Sequence, residues 1–125
     1  MRKQYHIRPI GNDTIIWDVD RLVDLSKAFP RIWVPLSSIR ELDESYWQSV
    51  DEPHPTCRSM IEHMQLINEA DLSFPIILSS DGRVMDGMHR VAKALLEDRT
   101  EIEAVQFEHD PEPDYINKHP SELPY

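Results

Sequence analysis

The sequence predicts an α+β fold, a single domain with a small mixed sheet and flanking helices, and three observations carry that reading. Short β-branched and aromatic runs alternate with longer stretches whose apolar residues recur every three or four positions, as strands interleaved with amphipathic helices do. Residues 74–96 (FPIILSSDGRVMDGMHRVAKALL) read as a strand, a tight turn at Ser80-Asp81-Gly82, a second strand and, after Asp86-Gly87, an amphipathic helix. At 125 residues, 40% of them hydrophobic, the chain suits one ordinary core rather than a catalytic domain plus an independent binding domain.

Taken in order, Tyr5 to Ile10 reads as an extended segment that turns at Gly11-Asn12-Asp13, and Thr14 to Trp17 resumes the extended pattern. Asp18 or Asp20 caps a short helix with Leu22, Val23, Leu25 and Phe29 near one side, closed by Pro30. Ile32 to Leu36 reads as a buried strand, followed by a loop or single helical turn over Ser37 to Asp43. Ser49 to Thr56, with two prolines, two acids and a histidine, reads as a surface loop whose last residue caps the next helix. In that helix, Arg58 to Asn68, the residues Met60, Ile61, Met64, Leu66 and Ile67 have the spacing of one buried face. Strands at Pro75 to Leu78 and Arg83 to Met85 precede a helix over Met88 to Leu96 with Val91, Ala94 and Leu95 inward. Ile102 to Phe107 alternates as a last strand. His109 to Tyr125 holds four prolines and reads as an irregular arm, packed by Tyr115 and Tyr125. The chain thus divides into an extension (1–31), a core (32–108) and a Pro-rich arm (109–125).

Composition narrows the chemistry. A net charge of -10 opposes DNA over most of the surface, because DNA affinity comes largely from Lys and Arg replacing counterions. The single cysteine, Cys57, excludes an internal disulfide and a thiolate cluster within one chain, and reads as a small buried residue. No apolar run approaches the roughly 18 residues of a membrane span, and the basic start lacks an apolar stretch behind it, so a soluble, cytoplasmic protein is expected. The six histidines lack helical metal-ligand spacing; His54 and His63 are the pair left for the fold to bring together.

The segment Asp86-Gly87-Met88-His89-Arg90 carries the strongest functional signal. A helix start leaves backbone N–H groups without intrahelical partners and attracts anions. Gly87 admits close approach of an oxyanion, Arg90 offers a bidentate charged contact, and His89 adds a pH-dependent donor. Asp86 would repel a phosphate, so it either caps the helix or helps hold a magnesium ion that bridges phosphate oxygens. The plain alternative is a capped, solvated helix start.

The order of these elements resembles the ParB/sulfiredoxin superfamily over roughly Ile32 to Phe107: a Pro-Leu-x-x-Ile strand, helix, Pro-Ile-Ile-Leu strand, Gly turn, strand, Asp-Gly-Met-His-Arg, helix and Val-x-Phe strand. The family's Gly-x-x-Arg phosphate box falls on Gly87 to Arg90, and the Asp-Gly-x-His-Arg form looks most like its free-serine kinases. Met88 stands where sulfiredoxins carry their nucleophilic cysteine, and a thioether cannot attack a sulfinate. The box here, Gly87 to Arg90, departs from the chromosome-partitioning form, Gly-Glu-Arg-Arg, and the Pro-rich acidic segment that ends the sequence is not expected to serve as that form's DNA-binding domain. The resemblance implies a nucleotide (ATP, ADP or CTP), held by Gly87, Met88, His89 and Arg90, with Thr56, Arg58 and Ser59 as further contacts from the preceding helix. It also implies a catalytic glutamate after the first core strand, where Glu41 stands, with Asp43 and Glu44 near; the alternative leaves these acids as solvated loop charges.

The expected function is nucleotide phosphate binding, extending to phosphotransfer onto a small hydroxylated metabolite such as an amino acid, with Glu41 and Asp86 as catalytic residues and Mg2+ as accompanying ion. No residue is assigned as a fixed metal ligand. The alternative is a non-enzymatic nucleotide-sensing or partner-binding module, with a protein partner or a homodimer, and a ParB-like nuclease ranks last. Trp33, Tyr46 and Trp47 are expected in a core or interface, with base stacking as the rarer use.

Overall fold

The computed structural model describes residues 3–47 and 54–125. It is an α+β structure with three α-helices and two small sheets. Strands β1 (Tyr5–Ile10) and β2 (Asp13–Asp18) form an antiparallel hairpin in register from Tyr5↔Asp18 to Ile10↔Asp13. The turn fits its sequence, since Gly11 sits at φ +61 where a glycine meets no Cβ penalty. Helix α1 (Val19–Ser26) follows directly, its N-terminus capped by Asp18, which accepts from the Asp20 N–H.

The second sheet has the order β3-β6-β4-β5, built from β3 (Ile32–Pro35), β4 (Ile76–Leu78), β5 (Val84–Asp86) and β6 (Glu101–Gln106). Strand β6 runs antiparallel to β3 and parallel to β4, and β4 pairs antiparallel with β5. Helix α2 (Cys57–Glu69) starts at a reciprocal cap between Thr56 and Ser59, and α3 (Met88–Leu96) leads from β5 back to β6. The main core gathers Leu36, Ile39, Ile76, Leu78, Val84, Met88, Val91, Ala94, Ile102 and Ala104. A second cluster of Trp17, Leu22, Ile77, Met85 and Phe107 joins the hairpin to the opposite face of the sheet. Burying a large aliphatic or aromatic side chain contributes about 1.5–3 kcal/mol, so these two clusters hold the sheets together.

Several expectations are corrected. Strand β3 is an edge strand, with Ile32 and Trp33 exposed; its β-branched and aromatic residues satisfy the strand preference without burial. Helix α2 has no buried residue, and Met60, Ile61 and Met64 are exposed, because only its Leu66–Ile67 side is covered. Val23, Leu25 and Leu95 also face outward. Cys57 is exposed at the start of α2. The 109–125 arm is partly ordered as a strand: β7 (Tyr115–Ile116) pairs with β2, making the hairpin three-stranded. Tyr115 and Tyr125 do pack the arm, each with its ring edge-on to Tyr5. Two 3-10 turns, Leu36–Ser38 and Arg40–Asp43, replace the expected loop or single turn after β3. The expected surface loop from Ser49 lies outside the described residues up to position 53.

Candidate functional site

The corner between β5 and α3 is built by packing before any ligand is considered. Gly87 caps α3 at φ +105, and a Cβ there would lie 2.7 Å from Ile76 Cγ2 and 2.9 Å from an Arg90 guanidinium nitrogen. The glycine is therefore required both by its backbone conformation and by close approach to β4. Arg90 donates to the Pro75 carbonyl at 2.7 Å and to Asp86 Oδ2 at 2.8 Å, with both charged side chains only 16% exposed. Asp86 thus makes an ion pair across the corner and does not cap the helix, whose start has no side-chain cap. The partly buried pair fastens β4, β5 and α3 at one point.

His89 turns to the other side of α3. Its Nε2 lies 2.8 Å from Nδ1 of His63 on α2, a ring-to-ring hydrogen bond whose donor is set by the tautomers. Trp47 stacks on both, with centroids 4.4 Å from His63 and 4.8 Å from His89. His63 thus meets His89, a pair that the sequence spacing did not single out. Thr56 and Ser59 use their hydroxyls on each other's backbone at the start of α2, and Arg58 is exposed there. Arg58 precedes His63 by five residues, about 7.5 Å along the helix axis. Trp47 therefore closes a small aromatic cluster at the α2–α3 contact, while Thr56, Arg58 and Ser59 stand further out.

Glu41 departs most from a solvated loop acid. It is 4% exposed, its Oε2 accepts from the Val84 N–H at 2.9 Å and lies 3.7 Å from Arg83, and its Oε1 has no protein partner. Asp43 and Glu44 differ from it: both are exposed, and Glu44 takes both its oxygens to Arg83. Tyr46 packs beside it, its hydroxyl held well above the ordinary range first by burial and then by the Glu41 charge. A cavity of about 350 Å³ is lined by Glu41, Tyr46 and Trp47 on one side and Met88, Ala92 and Leu95 on the other. Met88 enters it with a largely buried side chain that belongs to the core, so its contribution to any ligand would be through its backbone N–H.

Glu41 also lines a second, larger cavity, about 1020 Å³, between the β1–β2 hairpin, the 41–46 segment and the C-terminal arm. His6 and Arg8 project into it from β1. His6 is buried and stacked on Trp17, and burial followed by repulsion from Arg8 lowers its pKa from 6.5 to about 4. These two residues escaped the sequence reading. In β1 the usual alternation is inverted at one pair of neighbours: the apolar Ile7 is exposed, while His6 is buried and the Arg8 side chain, of the same parity as His6, is 17% exposed.

Among the described residues no cluster of three or more His, Cys, Asp or Glu could hold a metal ion, and no helix is long and apolar enough to cross a membrane. No family model, curated protein or solved structure matches the chain.

Proposed function

We propose that the chain has a ParB/sulfiredoxin-type core and binds a nucleotide, ATP, ADP or CTP, by its phosphates at the start of α3. The reaction we propose is phosphotransfer to the hydroxyl of a small metabolite such as an amino acid. The observation that carries this reading is the buried Glu41 carboxylate, whose unpartnered Oε1 belongs to a residue sharing a cavity with Met88 at the first turn of α3. A carboxylate held by one oxygen and without a hydrogen-bond partner on the other is suited to accept a hydroxyl proton. As the hydroxyl oxygen bonds to the terminal phosphorus, its proton passes to Oε1, and the bond to the departing nucleotide, shorter by one phosphate (a diphosphate from ATP or CTP, a monophosphate from ADP), breaks. The Met88 and His89 backbone N–H groups and Arg90 supply donors for phosphate charge. Magnesium is held chiefly by phosphates with one or two carboxylates and neutralises their charge; Asp86 is the carboxylate at this corner, and an ion would share it with Arg90.

A second reading, a non-enzymatic nucleotide-sensing or partner-binding module, draws on the engagement of Arg90 by Asp86 and Pro75 and on the exposed Met60, Ile61 and Met64 of α2. Isothermal titration with ATP, ADP and CTP, each with and without magnesium, tests the shared premise. No heat from any of them at millimolar concentration rejects the enzyme and the nucleotide-sensing module, and leaves partner binding through α2 as the reading. Binding accompanied by phosphoryl transfer that Glu41→Gln abolishes, with affinity retained, selects the enzyme; binding without transfer to a panel of hydroxylated metabolites selects the module.

A further inference from the structure

Three buried side-chain polar atoms among the described residues have no hydrogen-bond partner: His6 Nε2, Arg8 Nη2 and Glu41 Oε1. All three residues line the same cavity of about 1020 Å³. Native proteins leave few such groups unsatisfied, and each costs about 1–3 kcal/mol when buried without a partner. Their convergence on one cavity is therefore a property of the site. We infer that this cavity binds a small organic oxyanion that also carries a hydrogen-bond donor, with the oxyanion on Arg8 and the donor directed to Glu41.

The charges assign the two ends of the ligand. Arg8 is a donor-only group whose one ion pair among the described residues, to Asp110, is long at 3.8 Å. The other arginine of the cavity, Arg83, is already taken by both oxygens of Glu44. Arg8 is thus the cation with capacity to spare, and a carboxylate or phosphate oxygen supplies what it lacks. Glu41 has the opposite requirement, because an ionised carboxylate only accepts. A hydroxyl or ammonium on the ligand meets Oε1. His6 presents a neutral imidazole, its protonation opposed by burial and by Arg8, and can donate to or accept from the group between them. The cavity is at the upper end of the roughly 300–1000 Å³ usual for small-molecule sites.

Hydroxycarboxylates and phosphate monoesters share this chemistry, and the test separates them. Trp17 is a built-in reporter, since the His6 ring stacks on it at 5.6 Å and the Arg8 guanidinium lies 5.3 Å from its centroid. Two-dimensional NMR of the full chain labelled at the tryptophan indoles would be followed during titration with malate, glycerol 3-phosphate, inorganic phosphate and glycerol. A saturable shift of the Trp17 indole with malate or glycerol 3-phosphate, exceeding any effect of inorganic phosphate or glycerol, is expected. Malate alone would identify a carboxylate site and glycerol 3-phosphate alone a phosphate site. Arg8→Met and Glu41→Gln, each checked for an intact spectrum, should weaken binding by roughly tenfold to a hundredfold. The inference falls if neither compound moves Trp17 at millimolar concentration, if glycerol does so equally, or if both variants bind as the parent does. It also falls if only Trp47 responds, which would place the anion near α3 and leave the nucleotide reading standing.

Discussion

Removing the imidazole of His6 should flatten the acid sensitivity of this fold. His6 is 7% exposed and stacks on Trp17; burial first, and the Arg8 charge second, lower its pKa from 6.5 to about 4, with Asp110 opposing in part. The native state therefore refuses a proton that the unfolded chain accepts. Above the unfolded value both states are neutral and His6 adds no pH dependence. As pH falls from 6.5 towards 4 the unfolded state gains protons and native stability declines, and below the native pKa the loss levels off. At about 1.36 kcal/mol per pH unit the full loss is about 3 kcal/mol, a large part of the roughly 5–15 kcal/mol typical of a domain. Asp18, Asp71 and Asp81 have pKa values lowered from 3.8, so their contributions are lost at lower pH and separate from this window. Urea unfolding of the parent and of His6→Phe, which keeps a ring on Trp17, would be compared across the interval. The parent should lose about 3 kcal/mol more than the variant. Parallel curves would refute a buried neutral His6.

Gly87→Ala should destabilise by about 2–4 kcal/mol, combining left-handed strain with overpacking against Ile76; a calorimetric melt unchanged from the parent would contradict the corner geometry. Arg90→Ala should cost about 3 kcal/mol or more in urea unfolding, because it leaves Asp86 as a partly buried, unpaired carboxylate. Asp86→Asn combined with Arg90→Ala should restore part of that loss. Ile61→Lys should change stability by no more than about 0.5 kcal/mol in the same assay, since Ile61 is 62% exposed; a large loss would mean that the α2 face is covered in solution. Arg8→Met should leave the thermal midpoint of the unliganded protein unchanged or higher, because it replaces an under-paired buried cation with an apolar side chain.

The elements that the sequence revealed are those specified locally. Asp18 and Thr56 cap their helices through their own side chains, and Gly11, Gly82 and Gly87 occupy positive-φ positions at turns or a helix start, so short-range chemistry alone locates these boundaries. Burial was less legible because it depends on what lies opposite. The spacing in α2 marks an apolar face, but periodicity does not say whether a neighbour covers it, and Met60, Ile61 and Met64 remain exposed. The same limit applied to β3, where Trp33 is 61% exposed on an edge strand. At the candidate site, Gly87 and Arg90 were visible as a motif, while the His63–His89 contact joins residues 26 apart and depends on how α2 docks on α3. His6 and Arg8 were hidden by the rule that apolar residues point inward, which β1 reverses.

That reversal bears on why Glu41 is a glutamate. A buried position whose one requirement was to accept the Val84 N–H would be served by a glutamine carbonyl without burying a charge. The carboxylate instead keeps a second oxygen without a protein partner, beside two cavities, with Arg83 at 3.7 Å to moderate its charge. Arg8 presents the complementary imbalance, a cation more buried than its ion pairing warrants. Either group alone would be a local defect in packing. Together, on one cavity and of opposite charge, they stabilise a ligand that is itself polar at both ends, and binding removes the cost that the unliganded fold carries. Substitutions that relieve this cost should therefore trade ligand affinity for stability, a coupling that packing defects unrelated to binding would not show.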